Sequence, residues 1–385
     1  MLTYDIQRHN DEVARLLALA AQGKPERVLM TISANPRMIL SDIRLNPEGI
    51  TTFEDYMGDA DVMLAVQARF QAYEATQIVY DRPMGFDGVA AYPDMQNVLE
   101  ASYFGCLPAY HGINEPGTMV LLNRDTRNAF LDKPFPAIDA GLSGRSLAFY
   151  ETLLQRQKEG WTHQGKPVRS VRPTGMSTDG PFTVGCCLLG ATELCLALYE
   201  DEPFARAFLD YITDATIDRI KALRRHYGRP EKTPGFGFAD DSIAMLSLGD
   251  YRRFILPLHR RLVRELSTSE EPGGVHLCGD AQRLMPEMRD ALNVNAFDTG
   301  YPIRHGELVR ALGPDVAVSG GVHVDILRRG TPEAIAQETR RILAEVMPHT
   351  RKFTMKEANN LSPGTPPENV LAMYEATKAF GRYTD

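Results

Sequence analysis

The chain of 385 residues has an ordinary globular composition, with 43% hydrophobic and 24% charged residues. Its formal net charge of −8 argues against a nucleic-acid-binding surface, and no apolar run approaches the roughly 20 residues that a membrane helix needs. The first residues contain no signal-peptide core, and the five cysteines have no disulfide-like spacing. We therefore expect a cytoplasmic protein with reduced thiols that acts on a small molecule and binds neither nucleic acid nor a membrane.

Helical and strand patterns alternate from the beginning of the chain. An amphipathic pattern over residues 5–23 predicts a helix within an N-terminal extension at 1–25, and the apolar run 27–33 predicts a buried strand. Residues 52–76 are predicted to be helical. Residues 106–145, rich in Pro, Gly and Asn, are predicted to form an irregular excursion over one face of the fold.

The alternation continues to the end of the chain. Further strands are predicted at 77–80 (with a loop at 86–89), 167–176, 233–241, 274–278, 295–298, 316–319 and 352–356. Further helices are predicted at 147–159, 193–225 with a break near 201–203, 250–266, 281–292, 303–312, 331–347 and 365–380. About eight strands alternating with helices predict a parallel α/β protein, and the count favours a single-domain (β/α)₈ TIM barrel over 1–385 rather than an open sheet.

The stretch 274–280 has the most specific chemistry, since it reads as a short strand that ends in a turn. Side chains alternate between the faces of a strand, so His276 and Cys278 point the same way. An imidazole and a thiolate two residues apart on one face can bind a metal ion, typically zinc. The alternative is a buried cysteine beside a core histidine, because two ligands alone do not make a metal site.

Reactive residues of such barrels lie at the carboxyl ends of the strands. Polar residues at the predicted strand ends are Asn35, Arg37, Asp94, Asp179, Asp240, Asp241, His276, Cys278, Asp298, His323, Glu357, Asn359 and Asn360. We expect them to converge on one mouth. Structural alternatives remain for several of them, such as helix capping by Asp240 and Asp241 or a surface ion pair at Arg37.

Four stretches carry a resemblance to a known family. They are 239–241 with 254–257, the strand 276–279, the glycine-rich 320–323 with 327–333, and 360–370. In these stretches the chain resembles the uroporphyrinogen decarboxylase superfamily. That superfamily also contains zinc-dependent methyltransferases, which move methyl groups between corrinoid proteins and thiols or folates.

The resemblance implies a metal site for the methyltransferase branch. His276 and Cys278 match the first two zinc ligands of that branch, and Asp298 falls near the position of an acidic ligand. The distant cysteine ligand is absent, because 357–360 reads Glu-Ala-Asn-Asn, and Glu357 is the expected replacement. In the decarboxylase branch, the resemblance matches Asp94 to the acidic residue that holds the pyrrole nitrogens; the expected catalytic residues are His276, Cys278 and Asp94. The expected substrate-binding residues are Asn35, Arg37, Asp240, Asp241, His323, Asn359 and Asn360.

The leading hypothesis is a methyltransferase or demethylase that uses zinc and a corrinoid supplied by a partner protein. The second hypothesis is metal-free decarboxylation of a porphyrinogen or another carboxylic acid. It is disfavoured because 31–37 keeps one arginine, whereas a substrate with many carboxylates calls for several. The third hypothesis is a non-catalytic barrel that binds a tetrapyrrole or corrinoid. Barrels of this superfamily often pair, so a homodimer is one expected assembly, although the sequence shows no interface.

Overall fold

The computed structural model describes residues 4–383, which form an α/β fold of helices around parallel strands. The helices are α1 Ile6–Ala21, α2 Arg37–Leu40, α3 Phe53–Gly58, α4 Ala60–Gln77, α5 Leu99–Tyr103, α6 Arg127–Leu131, α7 Leu142–Lys158, α8 Pro181–Leu189, α9 Ala191–Glu200, α10 Glu202–His226, α11 Leu248–Asp250, α12 Leu256–Leu266, α13 Met285–Leu292, α14 His305–Leu312, α15 Val324–Arg329, α16 Pro332–Val346 and α17 Pro367–Phe380. The strands are β1 Leu29–Met30, β2 Val89–Ala91, β3 Pro108–His111, β4 Asn114–Thr118, β5 Thr162–His163, β6 Lys166–Val171, β7 Phe238–Ala239, β8 Gly273–Leu277, β9 Val294–Thr299, β10 Ala317–His323 and β11 Phe353–Ala358.

Six strands form one parallel sheet in the order β1-β11-β10-β9-β8-β7. A second sheet contains β2 paired in parallel with β6, which also pairs with β5 in antiparallel orientation. Between residues 4 and 383 no strand ladder joins β1 to β2 or β6 to β7. The prediction of a parallel α/β protein is therefore confirmed, whereas closure of the eight strands into a barrel stays a prediction.

Backbone hydrogen bonds cross the two gaps where strand ladders are missing. The Asp81 amide donates to the Met30 carbonyl at 3.1 Å beyond β1, and the Ala239 amide in β7 donates to the Thr178 carbonyl at 3.0 Å. A continuous apolar cluster fills the space between the six-stranded sheet and its helices. The carboxyl ends of the six parallel strands consequently lie at one edge, where the polar residues collect.

Helix ends follow the local sequence signals. The Thr331 side chain accepts a hydrogen bond from the Ala334 amide at the start of α16, and α17 ends at Gly381, as predicted. The N-terminal helix is confirmed at Ile6–Ala21. The predicted break near 201–203 is also confirmed, because Asp201 separates α9 from α10 and caps α10.

Two predicted elements differ from the structure, and one helix was not predicted. The helix predicted at 52–76 is interrupted at Asp59, whose carboxylate caps α4 by accepting from two backbone amides. The second strand lies at Val89–Ala91 rather than 77–80. Helix α8 was not predicted, because its start at Gly180-Pro181 reads as a turn.

The excursion at 106–145 contains regular structure. Strands β3 and β4 pair in an antiparallel hairpin, and α6 follows before α7 begins. Within 4–383 we find no single helix long and apolar enough to cross a bilayer, although α8 and α9, bent by 106°, pass that test of length and composition as a pair.

Candidate active site

A cavity of about 590 Å³ opens at the carboxyl ends of the strands. Seven of the predicted site residues line it: Asn35, Arg37, Asp241, His276, Cys278, Asn359 and Asn360. Its remaining lining residues include Asn97, Glu100, Glu115, Asp179, Thr183, Cys187 and Ser362. The expected convergence on one mouth therefore holds for these seven residues and for Asp179, which also follows a predicted strand.

Asp241, His276 and Cys278 form a compact cluster in this cavity. His276 lies near the end of β8 on the half-buried face that alternates with buried Val275 and Leu277, and Cys278 follows directly after the strand. The His276 Nε2 atom is 3.0 Å from Cys278 Sγ, and the Cys278 amide donates to Asp241 Oδ1 at 2.6 Å. One ligand atom from each of the three residues lies within 4.8 Å of the others, so the set could hold a metal ion.

The charges around the cluster favour a bound cation. Burial and the neighbouring Asp241 carboxylate raise the pKa of the Cys278 thiol well above its ordinary range. Burial alone would lower the pKa of His276, but its hydrogen bond to Asp298 and nearby negative charges raise it overall. A divalent cation bound to Cys278 Sγ would instead lower the pKa of the thiol, because a coordinated thiol loses its proton. Thiolate, imidazole and carboxylate are together a donor set that suits zinc.

Asp298 lies on the far side of the His276 ring from this cluster. Its Oδ2 atom is 2.7 Å from His276 Nδ1, and both of its oxygens accept hydrogen bonds from Lys356 Nζ, at 2.6 and 2.7 Å. Burial alone would raise the pKa of Asp298, but the contacts with His276 and Lys356 lower it by more, so the net shift is downward. Asp298 thus contacts the Nδ1 side of the His276 ring, away from Nε2 and the ligand atoms of Asp241 and Cys278.

Glu357, the expected replacement for the missing cysteine, also lies away from the cluster. Neighbouring residues of β11 face opposite sides, and Lys356 takes the side that reaches Asp298. Glu357 Oε1 accepts from the Ser33 amide at 2.9 Å, and Oε2 has no hydrogen-bond partner among the described residues. Burial raises the pKa of Glu357 to about 8. Of the predicted His, Cys, Asp, Glu set, the structure brings His276 and Cys278 together with Asp241 and places Asp298 and Glu357 away from their ligand atoms.

Asp240 does not line the cavity, although its neighbour Asp241 does. Its side chain is fully buried, and it accepts hydrogen bonds from the Phe182 and Thr183 amides and the Thr183 hydroxyl. His259 Nε2 lies 3.0 Å from Asp240 Oδ2. Asp240 therefore caps α8 and lies behind the cavity wall, away from the surface a substrate in this cavity would touch.

Asp94 and His323 lie outside the main cavity. Asp94 accepts from the Tyr56 hydroxyl at 2.8 Å and the Gln96 side chain at 2.7 Å, in a side depression of about 250 Å³. Burial raises its pKa despite these bonds. His323 packs its ring against Tyr301 and accepts from the Asp325 amide, capping α15. The structure therefore places neither residue in contact with the three-residue cluster.

Arg37 reaches both depressions, but protein acceptors already hold its guanidinium group. It donates to Gln96 Oε1, Glu115 Oε1 and Asn97 Oδ1 at 2.8–3.0 Å. Glu115 belongs to β4, so this contact ties the hairpin to the cavity rim. An acidic substrate that uses Arg37 as an anchor would have to displace one of these acceptors.

Two acidic residues of the cavity were not assigned roles from the sequence. Glu100 pairs with the buried Arg219 at 2.5 Å and accepts from the Asp179 amide at 2.7 Å. Burial and the charges of Glu100 and Asp241 raise the pKa of Asp179 to about 7. Asp179 was visible as a polar residue after a predicted strand, whereas Glu100 belongs to the short helix α5 and gave no such signal.

Comparisons with known proteins agree on one family. The sequence model of the uroporphyrinogen decarboxylase (URO-D) family matches residues 168–380. A methylated-thiol–coenzyme M methyltransferase of Methanosarcina mazei is 32% identical over 211 residues, 53% of each chain. A uroporphyrinogen decarboxylase of an Anaeromyxobacter species is 23% identical over 206 residues, 52% of this chain and 57% of the relative. The chain thus spans about half the length of the curated relatives it matches.

A solved structure extends the likeness of the fold to nearly the whole chain. A methyltransferase from Methanosarcina mazei superposes with a TM-score of 0.64, covering 96% of this chain and 98% of that one. Only 17% of the residues are identical, so this likeness concerns the fold alone.

Proposed function

The chain belongs to the uroporphyrinogen decarboxylase family, and from this membership and the cavity geometry we propose that it is a metal-dependent methyltransferase. The observation that carries the proposal is the cluster of Asp241, His276 and Cys278 at the mouth of the sheet. The methylated-thiol–coenzyme M methyltransferase among its relatives supports the same reaction class. The proposal includes a closed barrel, in which β2 and β6 complete a circle between β1 and β7.

In the proposed site, Asp241, His276 and Cys278 hold one divalent metal ion, with zinc the metal that their donor atoms favour. When bound, such an ion lowers the pKa of a thiol or hydroxyl group or polarises a methylated substrate. Three protein ligands would leave the ion accessible to a substrate atom, as in catalytic zinc sites. A corrinoid carried by a separate protein would supply or accept the methyl group.

The surrounding side chains bind the substrate and move its proton. Asp179 has a pKa of about 7 and can accept at its carboxylate the proton that a thiol or hydroxyl substrate releases. Asn359 and Asn360 provide amide donors and acceptors on one wall of the cavity. Arg37 on the rim can pair with an acidic group of the substrate.

Methyl transfer can be tested with free methylcobalamin as the donor and a series of small thiols as acceptors. We expect thiol-dependent loss of the methylcobalamin absorbance with zinc-loaded protein, and a loss of activity in His276→Ala and Cys278→Ala. Cys195→Ala is the control, because Cys195 is a half-buried residue of α9 outside the cavity. Full activity in the His276 and Cys278 variants would contradict the proposal.

Decarboxylation is the second candidate function, because Asp94 lies in a side depression that Arg37 also lines. Uroporphyrinogen decarboxylases are among the relatives of the chain. This candidate predicts that the protein releases coproporphyrinogen from uroporphyrinogen without added metal. Such a product, lost in Asp94→Asn, would favour decarboxylation over methyl transfer.

A further inference from the structure

Lys356 is a buried cation that none of the roles described above uses. Its side chain is only 4% exposed, and its Nζ atom donates to both oxygens of Asp298. In the strand register Gly321 of β10 pairs with Lys356, and Ser319 pairs with Asp298. The long side chain of Lys356 therefore crosses β10 to reach Asp298 on β9.

Lys356 keeps Asp298 in the ionised form in which it contacts His276. A carboxylate held by an ammonium group remains ionised, and an ionised carboxylate can only accept hydrogen bonds. Asp298 Oδ2 lies 2.7 Å from His276 Nδ1, so Nδ1 must carry the proton of the neutral ring. The lone pair is then on Nε2, the atom that lies 3.0 Å from Cys278 Sγ.

The charges of the cluster and its supporting residues balance only when the lysine is counted. Asp241, Asp298 and a Cys278 thiolate supply three negative charges around a neutral His276. A divalent cation and the Lys356 ammonium group supply three positive charges. An unbalanced buried charge is costly, and this charge balance therefore gives a physical reason for a buried lysine on β11, which two strands separate from His276 on β8.

We propose that Lys356 is a positioning residue, which acts through Asp298 to hold His276 with Nε2 free to bind a metal ion beside Cys278. The orientation of His276 is a property of the protein itself, whereas its use for metal binding rests on the function proposed above. Partners of this kind behind a metal-binding histidine typically change metal affinity about 10- to 100-fold. Asp298 thereby acquires a role different from that of a direct ligand.

The first test reads the tautomer of His276 in metal-free protein by ¹⁵N NMR of the histidine rings at pH 9, with His276→Gln used to assign its signals. We expect the Nδ1–H form in the wild type and in Lys356→Arg, and a mixture of both neutral forms in Lys356→Met. Because Lys356→Met leaves a buried carboxylate unpaired and can fail to fold, the double variant Lys356→Met with Asp298→Asn is measured beside it. A wild-type tautomer in both methionine variants would overturn the proposal.

The second test measures zinc affinity by competition with a chromogenic chelator. Lys356→Met and the double variant should bind zinc about 10- to 100-fold more weakly than the wild type, with recovery in Lys356→Arg. Lys221→Met is the matched control, because Lys221 pairs with Glu265 at 2.9 Å on the outer helices and should leave the affinity unchanged.

The two tests separate this inference from the proposed function. A wild type without zinc affinity would refute the metal-dependent function and the metal-binding part of the inference, while the NMR result still decides the orientation. Zinc binding of equal strength in the wild type and in Lys356→Met would refute the role of Lys356 and leave the proposed function intact.

Discussion

At the scale of residues, the surroundings of each carboxylate decide which acidic side chains can bind a cation. Asp241 faces the cavity and meets the thiol and imidazole of its two partners. Asp298 forms an ion pair with Lys356 and a hydrogen bond with His276. Glu357 is fully buried on the other face of β11, where its raised pKa favours the neutral acid. Of these three carboxylates, Asp241 is the one with an oxygen close to the ligand atoms of both His276 and Cys278.

The neutral state of Glu357 predicts how stability changes with pH. Its pKa rises from an ordinary 4.5 to about 8 on folding, so the folded protein binds this proton more tightly than the unfolded chain. Stability is therefore retained below pH 4.5 and falls between pH 4.5 and 8, by at most about 1.4 kcal/mol per pH unit. Glu357→Gln should match the wild type at pH 4.5 and become more stable than it by pH 8.

Urea unfolding of metal-free protein at several pH values measures this difference. Glu338→Gln is the control, because the ion pair with Arg341 lowers the pKa of Glu338 and the replacement should bring no gain as pH rises. A constant difference between Glu357→Gln and the wild type from pH 5 to 8 would argue against the buried neutral acid.

At the scale of elements, helix α8 forms one wall of the cavity because Asp240 holds its first turn. The amides of Phe182 and Thr183 donate to Asp240, and His259 buttresses the carboxylate from α12. Gly180 precedes the helix at φ +82°, and a Cβ atom there would lie 2.4 Å from the Asp240 side chain. The turn and its cap therefore depend on each other.

The adjacent residues Asp240 and Asp241 should differ in what their mutation changes. Asp240→Ala leaves buried donors without an acceptor and should lower the free energy of unfolding by about 3 kcal/mol or more. Asp241→Ala removes one hydrogen bond to the Cys278 amide and should cost about 1 kcal/mol, yet it should weaken metal binding. Urea unfolding and zinc titration of both variants test this contrast, and equal destabilisation would contradict it.

Sequence patterns identify part of the site and miss the rest for a physical reason. The alternation along β8 was enough to place His276 and Cys278 on one face. Choosing between Asp241 and Asp298 required the geometry across β7, β8 and β9, which no local pattern contains. Alternation also shows that Lys356 and Glu357 lie on opposite faces of β11, but not which of them reaches Asp298. Their side-chain partners, which only the folded chain brings together, decide that question.

At the scale of the whole molecule, a buried ion pair links the two ends of the chain. Arg27 donates to both oxygens of Asp81 at 2.6 and 2.8 Å, just beyond the first parallel strand. Asp81 also accepts from the Met30 amide and from the Tyr374 hydroxyl of α17. These bonds bridge the gap beside β1, where no strand ladder continues the sheet in the described chain.

Removing one partner of this pair should destabilise the entire fold. Asp81→Ala strands the Arg27 charge in the core and should lower the free energy of unfolding by about 3–5 kcal/mol. The matched change Glu26→Ala breaks the exposed Arg15–Glu26 pair and should leave the fold almost as stable as before. Chemical denaturation of the two variants provides the measurement, and a small effect of Asp81→Ala would show that the pair is dispensable.

The overall architecture was more predictable from sequence than its details. Regular alternation and helix caps such as Thr331 predict the parallel α/β arrangement, and six strands form the expected sheet. The short strands β1, β2 and β7, of two or three residues, offer little apolar periodicity. Their extent depends on long-range pairing rather than on local sequence, and for that reason the prediction misplaced the second strand.

The metal content of the purified protein tests the central claim most directly. Elemental mass spectrometry should find near-stoichiometric zinc in the wild type and in the control Cys195→Ala, and none in Cys278→Ala. That result would support a metal centre at Asp241, His276 and Cys278 and direct further work to methyl transfer. A wild type that retains no metal after zinc is added and the excess removed would contradict the account.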